Sequence, residues 1–123
     1  MDKLLTPPKF LQQTIAATLA ILAVAIAAWA GLHLYRLSDP YIRTVLAIEG
    51  DAQRGYEIFQ INCAGCHGSQ ADGNVGPSLH NVPKRKSEIG LIHQVISGKT
   101  PPMPKFQPNA QEMADLLRYL ENL

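Results

Sequence analysis

Residues 63–67 read Cys-Ala-Gly-Cys-His, and no other stretch of the 123-residue chain puts so much chemistry into so few positions. Two thiols three positions apart can reach the two vinyl groups on one side of a porphyrin. The thioether bonds so formed prevent loss of the cofactor. The adjacent His67 can swing beneath the ring and bind its iron as the proximal ligand, and small Ala64 and Gly65 let the backbone pass close to the porphyrin edge. Cys-x-x-Cys-His is the attachment signature of a c-type haem. Two rival chemistries also use paired cysteines. A redox dithiol sits where a strand runs into a helix, a context these neighbours do not provide. A structural zinc needs four ligands. Cys63 and Cys66 are the only cysteines, and His80 and His93 match no usual finger spacing.

A low-spin electron-transfer haem needs a sixth iron ligand, usually Met or His. Met1 lies far off in sequence, and Met113 falls on the apolar side of a helical pattern, where packing explains it. Met103 stands in the Pro-rigid run Thr100-Pro101-Pro102-Met103-Pro104. A methionine in such a loop has little reason to be there unless its sulfur is used. Met103 is therefore read as the distal ligand and His67 as the proximal one. His80 and His93 are read as surface or partly buried imidazoles.

These residues must be positioned by a small scaffold. From Gly50 onward only roughly 75 residues remain, few enough that a domain usually needs disulfides, a metal or a large cofactor to be stable. Asp51 caps a helix predicted over about 52–62, carrying Gly55, Ile58, Phe59 and Asn62 along one side. Residues 68–87 read as loop, with Gly68, Gly73, Gly76, Pro77 and Pro83. A further helix is predicted over about 87–97, with Ile89, Ile92 and Ile96 apolar and Gly98 as its stop. A last helix over about 110–122 places Met113, Leu116, Leu117 and Leu120 on its apolar side. No repeat and no convincing strand is seen.

Ahead of this lies a different kind of sequence. Residues 15–32 carry no charge, and eighteen residues span about 27 Å of helix, close to the hydrocarbon thickness of a bilayer. So small a domain could not cover such a helix on all sides. Trp29 and Tyr35 suit an interfacial belt. The run exceeds a usual signal-peptide core, which favours a retained anchor over cleavage near Ala28-Trp29-Ala30. Lys3 and Lys9 before it balance Arg36 and Arg43 after it, so charge alone leaves the orientation nearly tied. The chain is accordingly divided into a tail (1–14), a transmembrane anchor (15–35), a connector (36–50) and a haem domain (51–123). In the connector, Asp39-Pro40 starts a short helix expected to reach about Glu49 and to stop at Gly50.

Taken together, residues 50–123 resemble the class I c-type cytochromes, and with the anchor they are most similar to the cytochrome cM group of cyanobacteria. The stretch from Gly50-Asp51-Ala52-Gln53-Arg54-Gly55 through Phe59 to Cys63 and His67 is very similar to that family's first helix and haem site. The resemblance implies an all-α fold of three to five helices around one covalent haem c. It implies a helix crossing built from Gly55, Phe59 and Tyr119. It also implies a carbonyl of Pro77, in Gly76-Pro77-Ser78-Leu79, that accepts the N–H of the proximal imidazole. Met103-Pro104-Lys105-Phe106 resembles the family's Met-Pro loop, and Phe59, Leu79, Ile92 and Phe106 are expected around the ring.

The implied function is one-electron transfer in photosynthesis or respiration, without enzymatic turnover. A His/Met pair raises the reduction potential. Since haem is ligated to thiols outside the bacterial cytoplasm in this family, residues 36–123 are expected in the periplasm or thylakoid lumen, and the N-terminus in the cytoplasm. The partners are redox proteins, either membrane complexes or small soluble carriers, together with membrane lipid. No small organic substrate is expected. Net charge is +1, and from Gly50 onward seven Lys/Arg balance seven Asp/Glu, which argues against nucleic acid and against a global steering field. Lys84-Arg85-Lys86 is a local basic run, read as a solvated loop or as a contact for an acidic partner. Two alternatives stand beside the mobile carrier: a fixed haem subunit of a larger membrane oxidoreductase, and a sensor or enzyme with a labile sixth ligand.

Overall fold

The computed structural model describes residues 8–37 and 39–123, which fall into two units, Met1–Ser38 and Asp39–Leu123. Lys3 and the side chain of Arg36, both counted in the charge balance, lie outside the described residues, as does the first half of the expected tail.

The first unit is one helix, α1 (Lys9–Leu37), longer at both ends than the uncharged run. Its 29 residues span about 43 Å, enough to cross a bilayer with its headgroups. None of its apolar window is buried within the protein. The two threonines of α1, Thr14 and Thr18, bond back to the carbonyls of Leu11 and Ile15 at 2.9 Å, which satisfies their hydroxyls without water. Trp29 stacks on His33, with ring centroids 5.5 Å apart.

The second unit is all helical, and no strand occurs among the described residues. It holds α2 (Pro40–Ala47), α3 (Ala52–Asn62), α4 (Ala64–His67), α5 (Val82–Arg85), α6 (Glu88–Ser97) and α7 (Ala110–Glu121). Each of the longer helices begins on a side-chain cap. The Asp51 carboxylate accepts the Arg54 N–H, the Ser87 hydroxyl accepts the Gly90 N–H, and Asn109 with Glu112 forms a reciprocal capping box.

Three expectations are corrected. The connector helix, capped by Asp39 as expected, ends at Ala47, because Ile48 is extended (φ −93°, ψ 133°). Gly50 is thus no helix stop: an added Cβ there would overlap the Ala114 carbonyl, so glycine is required by the approach of α7. The basic run at 84–86 is not all loop either, since Pro83 at the start of α5 presets a single helical turn. The segment 39–47 also belongs to the compact unit, because Ile42 and Val45 are each 1% exposed in its core.

The centre of the unit is the crossing of α3 and α7. Gly55 lets the backbones touch, for its Cβ would collide with the Asp115 carbonyl and with Tyr119. One turn on, Phe59 is fully buried, with its ring 5.2 Å from that of Tyr119. Ile92 from α6, and Met113 and Leu116 from α7, complete this core. Asp115 locks the crossing. Its buried carboxylate accepts the Asp51 N–H (2.8 Å), the Gln111 amide (2.9 Å) and the Arg54 guanidinium (3.0 Å). Burial alone would raise this carboxyl, but the bonds from Arg54, Asp51 and Gln111 outweigh it and hold Asp115 below the usual carboxylate range.

Candidate haem site

The attachment residues follow directly from α3. Cys63 closes that helix, its N–H donating to the Phe59 carbonyl at 2.8 Å, and the single turn α4 then carries Ala64 to His67. The N–H groups of Cys66 and His67 both donate to the Cys63 carbonyl, at 3.1 and 2.9 Å. One helical turn therefore separates the two thiols. Their surroundings differ: Cys63 is half-buried against the core, whereas Cys66 is exposed. Burial, reinforced by Cys66 beside it, pushes the Cys63 thiol up to about 11. Among the described residues no three His, Cys, Asp or Glu side chains converge, so the zinc alternative lacks ligands.

His67 is held from two sides. Its Nδ1 lies 2.8 Å from the Pro77 carbonyl, which can only accept, so Nδ1 carries the proton. Nε2 is then left with its lone pair, as a metal ligand requires. On the other side Gly76 is pressed against the ring: an added Cβ would lie 2.7 Å from Cε1 and 2.8 Å from Nδ1. The loop delivering Gly76 and Pro77 is pinned by backbone bonds, Gly73 N–H to the His67 carbonyl and Gly76 N–H to the Cys66 carbonyl, each 2.7 Å. Its far end is tied by His80 to Asp72 (2.8 Å) and by Arg85, which donates to the Ser78 and His80 carbonyls (2.9 and 3.1 Å). This arrangement is fitted to an imidazole that must keep one fixed tautomer and one fixed orientation.

Met103 is half-buried on the loop after α6. Three contacts seat that loop. The Met103 N–H donates to the Thr100 carbonyl (2.9 Å), the Phe106 N–H to the Val95 carbonyl (3.0 Å), and the Gln94 amide lies 3.5 Å from Sδ. Gly98 ends α6 in the left-handed region at φ +53°, as the sequence suggested. Cys63, Leu79, Phe106 and Met103 pack against one core cluster that contains Phe59 and Ile92. Met113 is fully buried in that core, and His80 is exposed. His93 is set on α6 with its buried Nε2 unbonded. The groove lined by Leu46, Pro83, Ile89 and Glu121 involves none of the residues singled out for haem. Sequence reasoning missed Gln94, which looks like an ordinary solvent-facing residue of an amphipathic helix. It also missed the steric part played by Gly76.

Comparison with known proteins agrees with this construction. Residues 50–120 match the family model described as cytochrome c oxidase, cbb3-type, subunit III. A cytochrome c-553-like protein of Synechocystis is 58% identical over 106 residues, covering 86% of this chain and 95% of that protein. That match is longer than the unit Asp39–Leu123, so the likeness extends into α1. Cytochrome c-551 of Bacillus subtilis is 33% identical over 72 residues, covering 58% of this chain and 63% of that one. Among solved structures, cytochrome cL from Hyphomicrobium denitrificans superposes with a TM-score of 0.52 at 28% identity, over 67% of this chain and 50% of that one. With the attachment sequence, the helical fold and these relatives in agreement, the chain belongs to the class I cytochromes c, electron-transfer proteins whose cofactor is haem c.

Proposed function

We propose that the chain is a membrane-tethered one-electron carrier whose single haem is bonded through Cys63 and Cys66 and ligated by His67 and Met103. The observation that carries this reading is the His67–Pro77 hydrogen bond of 2.8 Å, which fixes the tautomer and frees Nε2. Haem supplies an iron that takes up and releases one electron. The protein orients His67 through Pro77 and Gly76, offers the thioether of Met103, and keeps Phe59, Leu79 and Phe106 as apolar surroundings. Low dielectric of this kind disfavours the extra charge of oxidised iron and so raises the potential. With both axial positions filled by protein, small gases must displace a side chain to bind.

The length and uniform apolarity of α1 support tethering, and the Synechocystis relative shares part of that helix. The division into a tail at 1–14, an anchor at 15–35 and a haem domain from about Asp39 is part of the same proposal. Thiol ligation outside the cytoplasm puts the haem unit on the lumenal or periplasmic side. Its donors and acceptors would be redox proteins of photosynthetic or respiratory electron flow. The match to an oxidase-subunit family model favours one second reading, a fixed haem subunit of a larger membrane complex. Isolation in mild detergent separates the two, for a carrier comes away alone and a subunit brings its partners.

The test of ligation is the visible spectrum of the membrane-extracted protein, with and without carbon monoxide. Wild type should show a low-spin c-type spectrum, an iron–methionine charge-transfer band when oxidised, and no response to carbon monoxide. Met103→Ala should keep the haem attached, lose the band, lower the potential and admit carbon monoxide. A Met103→Ala protein with the wild-type spectrum and potential would overturn the assignment.

A further inference from the structure

We infer that Ser78 is a positioning residue for the proximal histidine: its hydroxyl steadies the peptide plane whose carbonyl, that of Pro77, accepts the His67 Nδ1–H. The inference deepens the proposed function and rests on its reading of His67 as an iron ligand. The Pro77 carbonyl and the Ser78 N–H belong to one planar peptide unit, so whatever holds Ser78 also aims that oxygen. The pyrrolidine ring locks φ of Pro77 but leaves its ψ free to turn the carbonyl. The remaining restraint must come from the Ser78 side.

Ser78 is held at three points. Its hydroxyl lies 3.3 Å from the Ala71 carbonyl oxygen and 3.3 Å from the His80 backbone nitrogen. A carbonyl only accepts and an N–H only donates, so the hydroxyl donates to Ala71 and accepts from His80. The Ser78 carbonyl accepts from Arg85 at 2.9 Å. Ala71 is committed to the same task. It is fully buried and sits in the left-handed region at φ +59°, a conformation that costs a residue with a Cβ. There its carbonyl takes the Leu79 N–H at 2.9 Å as well as the Ser78 hydroxyl. Gly73 lies against the same peptide unit: an added Cβ would sit 2.7 Å from the Ser78 nitrogen and 3.1 Å from the Pro77 carbonyl carbon.

The stronger the bond from Nδ1–H, the more basic Nε2 becomes and the better it donates to a metal. Oxidised iron, the more positive form, gains more from that donation than reduced iron. A peptide plane that turns freely weakens the bond, so loss of the Ser78 hydroxyl raises the potential. A loosened loop that merely admits water to the ring does the reverse, because a higher dielectric favours the extra charge of oxidised iron. The sign of the shift therefore separates positioning from general support. The contact on His67 is main chain, and Ser78 is a side chain through which it can be reached.

The experiment uses the full-length haem-loaded protein and two readouts: the reduction potential, and hydrogen exchange of the His67 ring N–H followed by proton NMR. Ser78→Ala removes the hydroxyl and leaves the backbone. It should speed exchange of the ring N–H about two- to tenfold, the range of one hydrogen bond, relative to the amides of α7, which report global opening. It should also raise the potential. Ser78→Thr keeps the hydroxyl and should restore both. Unchanged relative exchange or an unchanged potential in Ser78→Ala would overturn the inference. So would a fall in potential, the mark of a loosened loop, or a Ser78→Thr protein that behaves like Ser78→Ala. If the wild-type ring N–H exchanges as fast as an exposed imidazole, the reading of His67 itself fails. If it is protected equally in wild type and Ser78→Ala, only the role of Ser78 fails.

Discussion

His67 and Met103, the two proposed axial ligands, are held by different means. His67 is surrounded by main chain: the Pro77 carbonyl on Nδ1, Gly76 flat against the ring, and a loop closed by backbone bonds of 2.7 Å. Met103 is steered at its sulfur by a side chain, Gln94, and its loop is stiffened by neighbouring prolines. A carbonyl cannot be mutated away, whereas an amide can. The histidine end is therefore built for constancy. The methionine end, if it holds the iron as proposed, is the one that a side-chain substitution can alter at little cost to the fold.

Three measurements break or sharpen this contrast. The largest effect is expected from Gly76→Ala, which drives a methyl to within 2.7 Å of the His67 ring. Overpacking of this kind costs about 3 kcal/mol. Urea unfolding should show the loss, while the iron–methionine band persists because the opposite end is untouched. Unchanged stability would mean that the loop yields freely and that His67 is not confined as described.

Asp115→Ala comes next and acts on neither end. It strips the Asp51 N–H and Gln111 of their buried acceptor, while Arg54, 59% exposed, returns to water. The expected cost is about 2 kcal/mol, with spectrum and potential unchanged. The pH dependence follows from the sign of the shift. Asp115 is held below its unfolded value of about 3.9, so the unfolded chain binds the proton first. Its stabilisation is complete above that value and fades as pH falls through the lower folded value. Acid titration of stability should therefore be shallower in the mutant below about pH 4. A parallel acid limb would show that the carboxylate contributes nothing.

The smallest effect is expected from Gly98→Ala. A side chain at φ +53° costs about 1 kcal/mol. The new methyl also presses on the Met103 carbonyl and the Lys105 nitrogen, so the methionine loop must shift. Here the charge-transfer band should move while the histidine loop keeps its hydrogen bonds, the converse of Gly76→Ala. If both glycine mutants disturb the band equally, the two ends are mechanically one.

Much of this was legible in the sequence because the signals are local. Asp51, Ser87 and Asn109 are capping residues immediately ahead of apolar-periodic runs, and the helices begin where these residues stand. The attachment site is a contiguous five-residue signature. The missed features are all contacts between distant residues. Gly50 looks like a helix stop until α7 is seen against it. Asp115 looks like a solvent-facing charge until Arg54, 61 positions away, closes on it. Gln94 carries no mark of its use, because its partner Met103 comes near only after the reversal at Gly98. The connector was similar: Ile42 and Val45 have helical spacing, but nothing in their neighbourhood says that a core awaits them.

The crossing of α3 and α7 also has a consequence in time. The ribosome makes α3 and the two cysteines well before α7. Until Ala110–Glu121 emerges, Gly55 and Phe59 have no surface to close on, and the core against which Cys63 packs lacks Met113, Leu116 and Tyr119. Once it closes, that thiol is half-buried and pushed up to about 11, a poor state for reaction. Closure of α7 thus covers Cys63 and leaves Cys66 exposed, so the two thiols differ in reach only once the crossing has formed.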